Sequence, residues 1–167
     1  MSESFIDTIF ARRSIRRYTS EPVTEEQIKT LLEAAMAAPS ANNLRPWHFV
    51  VVTERETLKK LAEAHPYGKM LFDAALAIVV CGEPGNLHWV QDCSAASQNI
   101  LLAATALGLG GVWLGVHPRT GPERNIRRVL DIPEEISVLN VISIGHPAEK
   151  KPPRTQYEEI KVHRERW

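Results

Sequence analysis

Apolar residues recur at helical spacing in several stretches of the chain, and two of these stretches begin with a helix-capping pattern. Thr24 stands three positions before Gln27, a capping box in which each side chain satisfies a backbone N–H of the first turn. Thr53 precedes Glu56 in the same way. The pattern predicts helices that begin just after Thr24 and Thr53, and Ser4 is suited to cap an earlier one.

Other apolar runs lack helical spacing and predict strands, at 47–53, 76–80, 112–116 and 137–144. The segment 88–107 is different, because Ala, Ile and Leu occupy nearly all sides of the helix that it predicts. Gly108 is suited to end this helix. A helix that is apolar all round must be buried all round. A chain of 167 residues offers little protein to surround it, so the helix predicts a dimer core.

Helices and strands alternate without a regular β–α–β rhythm, which predicts the α+β class. No internal repeat, low-complexity tract or boundary in composition interrupts the chain, so we expect one domain over residues 1–167. After residue 146 the sequence becomes polar and proline-interrupted. The apolar residues Ile160, Val162 and Trp167 near its end predict that this tail docks on another surface.

Charge and composition exclude several classes of function. Lys+Arg and Asp+Glu both count 20, so no net field attracts nucleic acid or an anionic membrane. The apolar runs are too short to span a bilayer, and the N-terminus lacks the pattern of a secretory signal. The two cysteines, Cys81 and Cys93, form no metal-binding spacing. We expect a cytoplasmic protein that binds neither metal, membrane nor nucleic acid.

A basic segment near the start is suited to bind a phosphate. Arg12, Arg13, Ser14 and Arg16 place three guanidinium groups and a hydroxyl within five residues. Charge-assisted hydrogen bonds of this kind can surround a phosphate monoester. The alternative interpretation is that cations at a helix C-terminus complement its dipole.

Two further segments are suited to a ligand. Between Pro39 and Pro46, hydroxyl, amide and guanidinium groups share a stiff loop, an arrangement that can recognise a flat heterocycle. The alternative is an Asn-rich turn that carries Trp47 into the core. Closely spaced glycines in 110–115 let the backbone approach a ligand or form a tight turn.

Familiar catalytic motifs are missing from the sequence. There is no GxSxG elbow, HExxH motif or P-loop. The glycines from Gly108 to Gly111 fail the dinucleotide fingerprint, since Trp113 takes the place of its third glycine. His65, His117 and His146 each precede a proline, and we expect them at loop boundaries.

Taken in order, these segments resemble the nitroreductase family. The matching stretches are FARRSIRRY (10–18), APSANNLRPWHFVVV (38–52) and the Ala-rich helix from Asp92 that leads to GLGGVWLG (108–115). The ending VHRERW (162–167) is also similar to that of short members. The resemblance covers nearly the whole chain, and the ordered set is much more specific than any one motif.

The resemblance implies a mixed central β-sheet flanked by helices and an intertwined homodimer, with FMN bound at the subunit interface. The tail, about 147–167, would pack on the partner subunit. FMN would be reduced at N5 by NADH or NADPH and reoxidised by a small-molecule acceptor, such as a nitroaromatic compound or a quinone, in a ping-pong cycle. Two alternatives stay open: a specialised flavoenzyme of the same fold, and a non-catalytic flavin-binding or storage protein.

The resemblance also implies which residues contact the phosphate end of FMN. Arg12, Ser14 and Arg16 would hold the phosphate and the ribityl chain, with Arg13 close by. Arg154 is similar to the basic tail residue that closes on the phosphate in the family.

Other residues would contact the isoalloxazine ring. Pro39, Ser40 and Asn43 would line it, with the Pro39–Ser40 segment reaching across from the partner subunit. Leu114 and Gly115 would place backbone N–H groups near flavin N5. No side chain would be catalytic in its own right, because the flavin carries the hydride.

Two cations would tune the flavin. Lys69 is similar to a lysine that approaches N1 and O2. Arg45 replaces the usual Gln, and since Arg only donates hydrogen bonds, we expect it to favour the anionic reduced flavin and raise the potential. Phe72 and Trp113 either line the acceptor pocket or belong to the core.

Overall fold

The computed structural model describes residues 4–167, whose centre is a four-stranded antiparallel β-sheet with strand order β1-β2-β4-β3. Its strands are Trp47–Val52 (β1), Leu76–Gly82 (β2), Gly110–Gly115 (β3) and Ser137–Gly145 (β4). Within that range the α-helices are Phe5–Ala11 (α1), Glu25–Met36 (α2), Arg55–Ala64 (α3), Trp89–Ala106 (α4) and Thr120–Leu130 (α5). Short 3-10 turns occupy Ala41–Asn43, Lys69–Phe72 and Glu159–Lys161. The predicted α+β class is confirmed.

The sheet separates two hydrophobic cores. On one face, Leu58 of α3 and Ile126 of α5 pack with Val79 of β2. On the other, α2 and α4 cover the alternate β2 residues Ile78 and Val80. Because side chains of a strand point to opposite faces in turn, β2 is buried along its whole length, which explains its continuous apolar sequence.

The pairing of the strands differs from the expected mixed sheet. All ladders among the described strands are antiparallel. Parallel pairing is confined to one bridge between Ser14 and Gly111, at the edge of β3. There the Ile15 N–H donates to the Gly111 carbonyl at 3.0 Å. The segment after α1 thus contributes a single parallel contact rather than a strand.

The predicted caps at Ser4 and Thr24 are confirmed. Thr24 accepts from the Gln27 N–H, and the Gln27 side chain accepts from the Thr24 N–H. Ser4 and Asp7 make the same reciprocal pair at the start of α1. Both helices therefore begin where the local sequence predicts.

The predicted capping box at Thr53 is wrong. Glu54 takes the extended cap conformation, with φ −69° and ψ 126°, and no side-chain hydrogen bond caps the helix. Glu56 is consequently one position too early to close a box. Instead, the Thr57 hydroxyl donates to the Glu54 carboxylate.

The long helix α4 ends at Ala106, and Gly108, with φ +73°, follows its C-cap Leu107 as the predicted helix-ending glycine. One chain does not bury this helix all round. Gln91 and Gln98 are exposed, and Leu102 and Ala103 are half-buried. The latter two line an apolar groove that α1, α2 and α4 share. Within residues 4–167, no helix combines the length and hydropathy that crossing a membrane requires.

The first part of the tail packs on its own chain. The Ala148 N–H donates to the Arg17 carbonyl at 2.9 Å, and the Arg154 N–H donates to the Phe10 carbonyl at 3.2 Å. Residues 148–154 are thus held to the segment 10–17 of the same chain. Packing of the tail, about 147–167, on the partner subunit stays a prediction, and Trp167 at its end is fully exposed.

Candidate functional site

A cleft of about 480 Å³ lies at the end of β3. Three segments form its walls: Arg16 after the Ser14 bridge, the turn that follows α3, and the end of β3 with the residues after it. Its lining residues are Arg16, His65, Tyr67, Met70, Trp113, Leu114, Gly115, His117, Pro118 and Arg119.

A bulge in β4 fixes where β3 leaves the sheet. Val80 pairs with Asn140 and Cys81 with Val138, so Leu139 is the extra residue of the bulge. Its carbonyl accepts both the Val116 and the His117 N–H at 3.0 Å. A bulge bends a strand locally and changes the direction of the chain around it. The backbone therefore turns into the cleft directly after Gly115.

His65 ties the turn after α3 to this strand end. It is only 3% exposed, its Nε2 lies 3.0 Å from the Gly115 carbonyl, and its Nδ1 lies 3.1 Å from the Tyr67 nitrogen. The Tyr67 N–H can only donate, so Nδ1 accepts and Nε2 carries the proton that Gly115 receives. A neutral imidazole satisfies both partners.

This role of His65 was not predicted from the sequence, which placed the residue at a loop boundary. The contact joins residues 50 positions apart, and the local sequence around His65 and Pro66 carries no signal for it.

Three guanidinium groups gather beside α1. Arg12 is the C-cap of this helix, Arg13 follows it, and the tail brings in Arg154. The pKa of Arg12 is lowered by partial burial first, and then by the nearby charges of Arg154 and Arg13. In residues 4–167 none of the three has a carboxylate oxygen within 4.0 Å. Such uncompensated positive charge is suited to an anion.

The tail is fastened along the same basic segment. The Lys151 ammonium donates to the Ser14 carbonyl at 2.5 Å, and Arg13 donates to the Pro152 carbonyl. The Glu149 carboxylate accepts the Arg16 N–H at 2.7 Å. That hydrogen bond is the main cause of the lowered pKa of Glu149, and Lys151 lowers it further. These contacts place Arg154 next to Arg12.

The loop from Ser40 to Arg45 has an unusual backbone. Asn42, Asn43 and Arg45 adopt φ values of 51°, 54° and 50°. This left-handed region costs a non-glycine residue roughly 1–2 kcal/mol, with Asn among the more tolerant. The Ser40 hydroxyl accepts the Arg45 N–H at 3.0 Å, so side-chain contacts hold the loop.

A buried acid in α4 anchors this loop. The Ala41 N–H lies 3.2 Å from each oxygen of Asp92, whose residue is 6% exposed. In the sequence, Asp92 served only to mark the start of the Ala-rich helix. An acid on the apolar side of a helix is the signal that could have identified it.

One chain brings only part of the predicted site together. Arg16, Leu114 and Gly115 share the cleft, and Trp113 lines it as well. Phe72 belongs to a separate groove beside Tyr18. Of the other predicted residues, Arg12, Arg13, Ser14 and Arg154 lie on the basic segment and the tail and do not line the cleft. Nor do Pro39, Ser40, Asn43, Arg45 and the exposed Lys69 line it within this chain.

Comparison with known proteins relates the whole chain to one family. The model of the nitroreductase family matches residues 9–66 and 64–146. A protein of Archaeoglobus fulgidus, provisionally named an NADH dehydrogenase/NAD(P)H nitroreductase, is 47% identical over 173 residues, 99% of this chain and 99% of its own length.

Solved structures agree. The FMN-dependent nitroreductase of Clostridium difficile R20291 has a TM-score of 0.92 at 35% identity, over 97% of this chain and 99% of the other. The NADPH:FMN oxidoreductase of Vibrio harveyi, solved in complex with NAD+, has a TM-score of 0.86 at 30% identity, over 98% of this chain and 77% of the other. By sequence and by fold, this chain belongs to the nitroreductase family.

Proposed function

We propose that this chain is the subunit of an oxidoreductase that binds FMN and takes electrons from NADH or NADPH. The observation that carries the proposal is the clustering of Arg12, Arg13 and Arg154. This cluster lies at the start of segment 12–16, whose last residue, Arg16, lines the cleft. The names of the relatives support it, since they include an FMN-dependent nitroreductase and an NADPH:FMN oxidoreductase.

The basic cluster fits the phosphate of FMN. A phosphate monoester offers up to two negative charges and three acceptor oxygens, and each hydrogen bond to such a charged group is worth about 1.5–3 kcal/mol. Burial, and then the positive charges of Arg154 and Arg13, lower the pKa of Arg12, and a bound anion would offset that repulsion. Ser14 and Arg16 continue toward the ribityl chain. Leu114 and Gly115 present their backbone to the ring at the end of β3.

When bound, FMN supplies hydride transfer between the nicotinamide donor and the acceptor. The chain binds the phosphate, orients the ring at the end of β3 and leaves an open cleft for one substrate at a time. For a nitroaromatic acceptor the reaction is NAD(P)H + H⁺ + ArNO₂ → NAD(P)⁺ + ArNO + H₂O. Because donor and acceptor share the cleft, we expect ping-pong kinetics. Quinones are a second expected class of acceptor.

The loop and the exposed lysine complete the site in this proposal. Pro39, Ser40 and Asn43 line the ring from the partner subunit, which accounts for their absence from the cleft of their own chain. Arg45 and Lys69 place positive charge near the N1–O2 edge, where charge accumulates on reduction.

The proposed site requires a homodimer, and the chain has a suitable apolar surface. Leu102 and Ala103 of α4 lie in a groove with Ala34 of α2 and Phe5 of α1. Phe5 is 70% exposed and Met36 is 55% exposed. Burial of such apolar area stabilises an association by roughly 25 cal/mol per Å² before the costs of binding. We place the dimer interface on this groove and on residues 155–167.

Two truncations separate the roles of the tail. A chain ending at Arg154 keeps the basic cluster, whereas one ending at Pro153 loses its third guanidinium. Both should dimerise more weakly in light-scattering measurements. The shorter one should bind FMN at least 10-fold more weakly than the longer one, a difference of about 1.4 kcal/mol. Two truncated proteins that stay fully dimeric would contradict the interface.

The cofactor is tested by comparing FMN with riboflavin, which lacks the phosphate. Arg12→Gln should weaken FMN binding and leave riboflavin binding nearly unchanged, as measured by flavin fluorescence. Arg128→Gln, the same change at an exposed position of α5, is the matched control. Equal losses for both flavins would show that Arg12 does not bind the phosphate.

The reaction is tested on the purified protein without oxygen. The visible spectrum should show bound flavin, and its absorbance should bleach with NADH or NADPH and return with a nitroaromatic compound or a quinone. Flavin that neither donor bleaches would identify a binding or storage protein instead. A protein that takes up no FMN would refute the proposal.

A further inference from the structure

Arg119 lines the cleft and has no part in the proposed contacts with FMN. Its guanidinium carbon lies 5.8 Å from the centre of the Tyr67 ring, which is within the range of a cation–π interaction. Tyr67 lines the same cleft. The aromatic ring therefore helps to hold an otherwise exposed cation at the mouth of the site.

The position of Arg119 is linked to the end of β3 through two residues. Tyr67 supports its guanidinium, and the Tyr67 N–H donates to His65 at 3.1 Å. His65 in turn donates to the Gly115 carbonyl at 3.0 Å. Since Gly115 is proposed to lie beside the reacting edge of the flavin, these contacts set the place of Arg119 relative to the site of electron transfer.

The charge of the cleft lacks a counterion. Two guanidinium groups line it, those of Arg16 and Arg119, and no carboxylate does. Of the residues that the structure describes, none pairs a carboxylate with Arg119 within 4.0 Å. The proposed function uses Arg16 for the ribityl chain. Arg119 remains as a fixed cation beside the space that the acceptor must enter.

The other walls are suited to a flat aromatic molecule. Tyr67, Met70 and Trp113 offer ring and thioether surfaces, against which an aromatic ring packs well. A guanidinium binds a carboxylate through two parallel hydrogen bonds. An aromatic acceptor with a carboxylate would use both features at once.

We infer that Arg119 recognises an anionic group on the electron acceptor, so that the preferred acceptors are planar aromatic molecules bearing a carboxylate. The inference rests on the proposed function, because it assigns the substrate class of that same cleft. For 4-nitrobenzoate the balanced step is 4-nitrobenzoate + NAD(P)H + H⁺ → 4-nitrosobenzoate + NAD(P)⁺ + H₂O. The nitro group gains two electrons and two protons, one N–O bond breaks, and that oxygen leaves as water.

The experiment compares 4-nitrobenzoate with 4-nitrobenzamide, which has nearly the same shape and no charge. Holoenzyme reduced photochemically is mixed with each acceptor, and the rate of reoxidation is followed in a single turnover, so that donor binding does not contribute. Wild-type protein should prefer the carboxylate. Arg119→Gln should lower the ratio of the two rate constants about 10-fold or more, the effect of losing one charge-assisted contact.

Two variants serve as controls. Arg119→Lys keeps the charge and should restore part of the preference. Arg124→Gln makes the same change of charge on an exposed residue of α5 that lines a different cleft, and it should leave the ratio unchanged. Dissociation constants for both acceptors, measured calorimetrically on the protein as purified, should show the same preference for the carboxylate and the same order among the variants.

Several outcomes would overturn the inference. One is an equal loss for both acceptors in Arg119→Gln, and another is an unchanged ratio. A third is that Arg119→Gln changes only the rate at which NADH or NADPH reduces the flavin. Arg119 would then bind the phosphates of the donor. If neither compound reoxidises the wild-type enzyme, the nitroaromatic part of the proposed function fails, and the calorimetric ratio still decides the role of Arg119.

Discussion

The Asp92 carboxylate accepts a hydrogen bond from the Ala41 N–H, with both of its oxygens 3.2 Å from that nitrogen. The contact joins the first turns of α4 to a loop with three left-handed residues. Such a backbone does not persist through its own preference and depends on what surrounds it. The buried acid on the helix therefore holds the loop together with the Ser40 hydroxyl, which accepts the Arg45 N–H.

Asp92→Leu should release the loop and lower stability by about 1–3 kcal/mol, the cost of a buried N–H left without a partner. If the loop lines the flavin, the affinity for FMN should fall as well. Asp92→Asn keeps an oxygen acceptor without the charge and should retain most of both properties. Denaturant unfolding and FMN titration measure the two effects. If Asp92→Leu kept the wild-type affinity for FMN, the contact between Asp92 and the loop would have no part in FMN binding.

Arg45→Gln should lower the midpoint potential of bound FMN. A cation near the ring stabilises the negative charge gained on reduction. For an exposed charge worth up to about 1 kcal/mol, the shift of a two-electron couple is about 20 mV. Arg45→Lys keeps the charge and should keep the potential. Spectroelectrochemical titration gives the values, and an unchanged or higher potential in Arg45→Gln would refute the role.

Acid should loosen the tail. The Arg16 N–H and Lys151 hold the pKa of Glu149 below its ordinary value of 4.5. The contact's contribution to stability is thus complete above pH 4.5. It is lost as the pH falls through the lower pKa that Glu149 has in the folded state. Amide hydrogen exchange at Arg16 should become faster over that interval.

Glu149→Gln is the matched variant for the acid effect. It removes the titrating group, so the exchange rate at Arg16 should lose this pH dependence beyond the intrinsic change with pH. Wild-type protection at Arg16 with no more dependence on pH than that of Glu149→Gln would mean that other contacts hold the segment.

Native protein should not react with thiol reagents. Burial raises the pKa of both Cys81 and Cys93 to about 12, and both thiols are free and buried. The thiolate is the reactive form. Titration with Ellman's reagent should detect no thiol in the folded protein and two after unfolding. A thiol that reacts quickly in the folded state would show that a core opens locally.

Features that depend on neighbouring residues were predictable from the sequence. The Thr24–Gln27 pair satisfies backbone N–H groups of the first helical turn, a need that local spacing reveals. The continuous apolar run of β2 reflects a strand covered on both faces. The box at Thr53 failed because a shift of one residue in the helix start removes it.

Contacts between distant segments were not predictable in this way. Tertiary packing brings His65 to Gly115 and Asp92 to Ala41, and no spacing in the sequence encodes either pair. The family resemblance supplied Arg154 as a partner of Arg12, where residue patterns alone predicted only that the tail docks somewhere. The hydrogen bonds of 148–154 to their own chain were not predicted from the sequence.

The bulge at Leu139 has a consequence for how this protein can change over time. One carbonyl oxygen holds the two N–H groups that come after Gly115, and main-chain atoms are the same in every amino acid except for the missing N–H of proline. Mutations at His117 or Arg119 can thus alter what the mouth of the cleft recognises while the end of β3 stays in place. If the proposed function holds, preference for the electron acceptor is free to change in evolution, or by design, without a change in the scaffold.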